Sequence, residues 1–165
     1  MDTIFDLPAH PLFSHFPIAL APAIVLAAAA MVARPAWRTS LGPVVVGASV
    51  LTLVAILLAR RSGEELFELL QQEPSIGRHE ELADQSLVLW AVFVAVTAAL
   101  VVLHRRSARP APGEPAPGVA TGARARTAVN VLAALCVIVG VTSTVWIART
   151  GHEGAKSHWS FVSDN

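Results

Sequence analysis

Six histidines, His10, His15, His79, His104, His152 and His158, are the residues of this 165-residue chain best suited to chemistry. Neutral imidazole is the commonest protein ligand for transition metals, through whichever ring nitrogen is left bare. No two of the six show the HxH, HxxxH or H-E-x-x-H spacing that places both ligands on one element, since the residue four beyond His79 is Ala83. A site must therefore be assembled from separate segments. The single cysteine, Cys136, belongs to no CxxC or CxxCH pattern and forms no internal disulfide, so it reads as a small apolar residue.

The segments that carry the histidines read as membrane spans. Charged residues make up 15% of the chain, against about 25% in an ordinary soluble domain. None falls within residues 7–33, 39–59, 85–103 or 127–148, and a bilayer core requires about 20 largely apolar residues per helix. The expected fold is all-α, an integral membrane four-helix bundle, one domain over 1–165 with spans at about 14–34, 42–60, 84–104 and 127–149. In the connector 60–84, Ser62 and Glu65 fit a capping box, and Leu66, Phe67, Leu69 and Leu70 alternate with acids. That pattern predicts a short amphipathic helix on the membrane surface, with the third helix starting early after Pro74. The connector 105–126, RRSARPAPGEPAPGVATGARAR, has no apolar periodicity and predicts a disordered cytoplasmic linker. Pro17 and Pro22 predict a kink or a late start in the first span. Thr127 is expected to cap the fourth and Gly151 to end it in a left-handed turn, while Gly47 and Gly140 allow close helix approach.

Lys and Arg total 12 and Asp and Glu total 12, yet they are not mixed. The segments 34–38 and 104–126 hold seven arginines and one acid; the two ends and the connector 60–84 hold five basic residues and eleven acids. The positive-inside rule then puts both termini on the outer side of the membrane. Five histidines fall on that outer side, and only His104, beside Arg105 and Arg106, falls on the other. Trp90, Trp146 and Trp159 are expected as anchors at the membrane interface. A net charge of zero gives no field for capturing nucleic acid. No soluble catalytic domain fits beside four spans, and no Walker, Rossmann or Ser-His-Asp arrangement exists, so an enzyme is the least supported class.

The run His10-Pro-Leu-Phe-Ser-His15-Phe-Pro-Ile-Ala-Leu20 resembles the opening signature of a bacterial membrane-protein family designated domain of unknown function 2231. Thr150-Gly151-His152-Glu153-Gly154 is similar to that family's closing signature, and His79-Glu80-Glu81-Leu82 to the element ahead of its third span. The resemblance implies a four-helix protein of the bacterial cytoplasmic (inner) membrane. It marks His10, Pro11, His15, Phe16, Pro17, His79, Glu80, Gly151, His152 and Gly154 as motif positions, and it names no reaction. Ser62-Gly63 stands where the family often has Thr-Gly, and Lys156-Ser157-His158-Trp159 replaces an apolar run.

The leading expectation is an outward-facing histidine cluster that binds a redox cofactor, haem b with two axial histidines, for electron transfer accessory to a larger respiratory or periplasmic redox partner. His15 with His79 or His152 is the expected axial pair, with His10 beside them, and Arg60, Arg61 and Arg149 offer guanidinium forks for the propionates. One alternative is copper or zinc held by His10, His15, His79, His152 and Glu80. A second alternative is a structural, non-catalytic membrane subunit whose histidines hydrogen-bond loops in place. The lipid bilayer is the common partner of all three readings, and each admits a homo-oligomer.

Overall fold

The computed structural model describes the backbone of residues 3–4, 7–69, 74–108 and 119–163, and the side chains of 10–64, 77–107 and 122–156. Four long helices follow in chain order: α1 (Ala9–Ala33), α2 (Arg38–Leu69), α3 (Pro74–Ala108) and α4 (Val119–Ser163). A 3-10 turn at Pro35–Trp37 joins α1 to α2. Ahead of α1, the two-residue strands β1 (Thr3–Ile4) and β2 (Leu7–Pro8) pair antiparallel. All four helices are long and apolar enough to cross a membrane, over His10–Ala33, Pro35–Glu64, Gly77–Ser107 and Gly122–Lys156.

α2, α3 and α4 outrun their charge-free windows, and α1 starts ahead of the span expected at about 14–34. α1 begins at Ala9 and passes through Pro17 and Pro22. Pro11 stands in its first turn, where amide donors have no helical acceptor in any case, so an early start costs little. The segment expected as a separate amphipathic helix is the last part of α2, which runs unbroken to Leu69. α3 does begin at Pro74, as the sequence suggests. The flanks of the expected linker are helical, because α3 reaches Ala108 and α4 starts at Val119; residues 109–118 lie outside the described residues. Thr127 and Gly151 are interior positions of α4 rather than its ends. The Thr127 hydroxyl donates back to the Ala123 carbonyl at 3.1 Å. Gly151 gives room to a neighbour, since a Cβ there would stand 2.9 Å from Ile18 Cδ1.

The helices form a ring in which α1 packs on α2, α2 on α3, α3 on α4 and α4 on α1. α1 and α3 are therefore diagonal across the ring, as are α2 and α4. Trp90 and Phe93 of α3 are fully buried at its centre, with ring centres 4.9 Å apart. The indole N–H of Trp90 donates to the Ser49 carbonyl of α2 at 2.9 Å, which places this tryptophan in the core and not at an interface. Gly140 of α4 admits both Phe93 and Val25, 2.9 and 3.1 Å from where its Cβ would be, whereas Gly47 faces nothing within 4 Å. Buried Ser49, Thr52 and Ser143 return their protons to carbonyls one turn earlier, at 2.6, 2.9 and 2.7 Å. Small hydroxyls of this kind let membrane helices approach without leaving a polar group unpaired. Large apolar side chains such as Leu26, Leu51 and Val88 point outward from the ring, as a lipid-facing surface requires.

At the end of the ring opposite the clustered histidines, Arg38 is buried. Its Nε and Nη2 donate to the Met31 and Val32 carbonyls, both at 3.2 Å. These carbonyls lie in the last turn of α1, where no amide follows to bond them, and the guanidinium supplies the missing donors.

Candidate functional site

The structure brings together His10, in the first turn of α1, and His79, near the start of α3. Their half-buried rings stand 6.2 Å apart between centres, with planes at 83°. Because α1 and α3 are diagonal, the pair meets across the mouth of the ring. Each imidazole is tethered to a different helix. His10 Nδ1–H donates to the Ala59 carbonyl of α2 at 2.7 Å, and His79 Nδ1–H donates to the Thr150 carbonyl of α4 at 2.9 Å. A carbonyl only accepts, so each bond fixes the proton on Nδ1 and leaves Nε2 as the bare nitrogen of the neutral ring. Metal-ligating histidines are held in this same way, with the outer ring nitrogen bonded to a carbonyl or carboxylate.

Two glycines make the tethers possible. A Cβ at Gly63 would stand 3.0 Å from both Cε1 and Nδ1 of His10, and one at Gly154 would stand 2.9 and 3.0 Å from the same atoms of His79. Every Cβ of an α-helix tilts toward the N-terminus, so the side chain at position i+4 overhangs the carbonyl of residue i. Gly63 is four beyond Ala59 and Gly154 is four beyond Thr150. A ring that reaches either carbonyl from outside must pass where that Cβ would be, and only glycine leaves the path open.

Thr150 also anchors α4 to α3 through its side chain. Its hydroxyl donates to the Trp146 carbonyl at 2.9 Å and so receives its 2.9 Å bond from the Ser86 hydroxyl. Ser86 is buried, and the helix that delivers His79 is thereby held in register with the carbonyl that orients it.

The other expected site residues are placed elsewhere. His15 follows His10 by five residues, about 140° around a regular helix, and it is exposed, with Nδ1 bonded to the Pro11 carbonyl of its own helix. His152 is exposed on α4 and Glu80 is exposed on α3. The ring that His79 meets is that of His10, whereas the expected pair is His15 with His79 or His152. Among the described residues, no group of three or more His, Cys, Asp or Glu gathers as a metal cluster. The side chain of His158 lies outside the described residues, as does that of Trp159. Arg60 bridges to Glu64 at 3.3 Å and to Asp84 of α3 at 3.1 Å. Its closest contact to Asp84, Nε to Oδ1, is a charge contact without hydrogen-bond alignment, and the aligned bond runs from Nη2 to Oδ2 at 3.5 Å. Arg61 is exposed. The Arg149 guanidinium lies 5.2 Å over the Trp146 ring, whose N–H donates to Gln85 at 2.7 Å. The carbonyl-and-glycine tethers are not among the sequence expectations. Gly63 and Gly154 both stand in the sequence near charged residues at the ends of apolar runs, where glycine ordinarily signals a helix stop.

Four membrane-length helices in a ring, with a tethered imidazole pair at one end, define a small polytopic membrane protein. The chain belongs to the family of predicted membrane proteins designated DUF2231, whose family model matches residues 6–164. Comparisons with curated proteins and with solved structures give no match.

Proposed function

We propose that His10 and His79 bind a single metal centre through their Nε2 atoms, and that this centre is the iron of haem b in an electron-transfer protein. The observation that carries the reading is the tethered pair itself: two imidazoles, each donating from Nδ1 to a carbonyl, with ring centres 6.2 Å apart and no cluster of three or more metal-ligating residues among the described residues. With a metal–nitrogen distance of about 2.0 Å, two imidazoles on opposite sides of one ion have centres roughly 6.3 Å apart, whereas a tetrahedral angle brings them to roughly 5 Å. A separation of 6.2 Å would let His10 and His79 serve together as the two protein ligands of one such centre. A structural zinc site takes four protein ligands and a catalytic one three, while haem iron draws its equatorial nitrogens from the porphyrin and needs the protein only axially. When bound, haem supplies one-electron redox chemistry.

The chain's own contribution is orientation. Ala59 and Thr150 hold the protons on Nδ1, Gly63 and Gly154 let the rings seat against α2 and α4, and Ser86 fixes α3 against α4. Among the described residues, Arg61 and Arg149 are the expected propionate partners without an ion pair to a neighbouring helix, while Arg60 is already engaged by Asp84. The charge division of the sequence supports a position for the pair at the outer face of a bacterial inner membrane, where a periplasmic or respiratory redox partner would reach it. Protein purified from haem-replete cells will show a Soret band, and α and β bands on reduction, with one iron per chain. Colourless protein that carries copper at one per chain would replace haem by a bare ion at the same pair. Protein with no metal would overturn the proposal and leave the pair a structural latch.

A further inference from the structure

We infer that the chain is an internal duplication, in which α1–α2 and α3–α4 are two copies of one helical hairpin, related by a pseudo-two-fold axis along the ring, and that the imidazole pair sits on that axis with one ring from each copy. The first observation is the tether. In both hairpins a histidine at the start of the first helix donates from Nδ1 to a carbonyl near the end of the second, and the residue four beyond that carbonyl is a glycine whose missing Cβ would press on Cε1 and Nδ1 of the ring.

The second observation is burial. The tethers fix two offsets, 69 positions from His10 to His79 and 91 from Ala59 to Thr150. With the first offset, buried Pro17, Ile24 and Met31 of α1 fall on buried Ser86, Phe93 and Leu100 of α3, and Ala21 and Ala28 fall on buried Trp90 and Thr97. With the second, each buried position of α2 from Arg38 to Ile56 recurs as a buried position of α4 from Val129 to Ile147; Val45 with Cys136 and Thr52 with Ser143 are examples. The offsets come from the tethers and not from the burial pattern, so the agreement in helical phase is independent evidence.

The third observation is the difference between the offsets. The second copy is 22 residues longer, and the excess falls wholly between Val102 and Val129, the counterparts of Ala33 and Arg38. It lengthens the connecting ends of α3 and α4 as well as the segment between them, and leaves the buried faces of the helices in register. The contacts between neighbouring helices have the same two-fold pattern, α1–α2 matching α3–α4 and α2–α3 matching α4–α1. Both hairpins start at the same end, which makes this a parallel repeat whose axis follows the helices. The copies differ in the core, where Trp90 and Phe93 stand opposite Ala21 and Ile24, and at exposed positions, where Glu80 and Gln85 stand opposite Pro11 and Phe16, while the tethers at the mouth are kept in both.

A ligand on such an axis would meet two like donors, one imidazole from each copy. Gly63 and Gly154 are equivalent positioning residues for it; this last assignment rests on the haem reading, while the duplication stands without it. Distances between spin labels test the duplication directly in the full chain carrying Cys136→Ala. Leu51→Cys with Val88→Cys and its two-fold counterpart, Thr142→Cys with Ala19→Cys, will give the same mean distance with overlapping distributions, and separate distributions would overturn it whatever the protein binds. Imidazole nitrogen resonances of the histidine-labelled chain test the positioning role. Both tethered rings will report the Nδ1–H tautomer in the metal-free protein. Gly63→Ala will shift His10 alone, Gly154→Ala will shift His79 alone, and each will cut haem content at least several-fold. A glycine substitution that leaves its own ring unshifted would overturn that role. Wild-type protein that binds no metal but gives matched label distances would sink the haem reading and uphold the duplication.

Discussion

Replacing His79 by asparagine separates orientation from ligation. The asparagine amide nitrogen sits on Cγ, as Nδ1 of histidine does, so His79→Asn keeps a donor for the Thr150 carbonyl, which His79 reaches at 2.9 Å, but carries nothing in place of Nε2. A hydrogen bond of this kind contributes about 1 kcal/mol net. His79→Ala removes that bond and the ring that rests on Gly154, and the space left by a half-buried ring adds about 1–2 kcal/mol. The alanine variant is therefore expected to lose about 2–3 kcal/mol and the asparagine variant about 1 kcal/mol or less, while both lose the metal centre entirely. Unfolding in detergent, measured on metal-free protein so that ligand binding does not contribute, gives the stabilities. Optical absorption with element analysis gives the centre. An asparagine variant that retains the centre would show that Nε2 of His79 is not a ligand, and one as unstable as alanine would show that the Thr150 bond does not hold the ring.

Three further outcomes follow from the same contacts. His15→Ala and His152→Ala will keep wild-type metal content by element analysis, because both residues are exposed and neither joins the pair in a cluster of three; loss of the centre in either would bring that residue into the ligand set. Arg38→Ala removes a buried guanidinium that bonds the Met31 and Val32 carbonyls, and chemical unfolding is expected to show a loss of about 2–3 kcal/mol, since bonds from charged donors contribute about 1.5–3 kcal/mol. Arg38→Lys will recover only part of it, because an ammonium lacks the fork that spans two acceptors. Acidification will release the centre, since protons and metal compete for the same Nε2 lone pairs; an absorbance titration that shows tighter retention as pH falls would contradict ligation by imidazole.

The four helices are legible in the sequence because a bilayer leaves no alternative for four charge-free windows of that length, and Pro74 marks the start of α3 for the reason prolines favour first turns. The helix ends are not legible. Charges end an apolar window without ending the hydrogen-bond ladder, so α2 runs on through Arg60, Ser62 and Glu64 to Leu69, and α4 runs through Gly151 and Gly154 to Ser163. Glycine serves both as a helix stop and as a point of close approach, and the difference between the two at Gly63, Gly151 and Gly154 depends on rings and side chains from other segments. The choice of His10 over His15 rests on helical phase. Pro17, Ala21, Ile24 and Ala28 define the buried face of α1, and His10, seven before Pro17, lies on it, whereas His15 does not. Phase alone leaves the pairing of His10 with His79 undetermined, because that pairing depends on α1 and α3 being diagonal, which the order of helices around the ring decides.

The most direct test of the proposed metal centre is electron paramagnetic resonance of the oxidised, purified protein with iron quantified on the same sample. One low-spin ferric centre per chain, as two axial imidazoles impose, is the predicted result. A high-spin ferric signal would contradict the account by showing an axial position not filled by His10 or His79, and a sample without iron would contradict it outright.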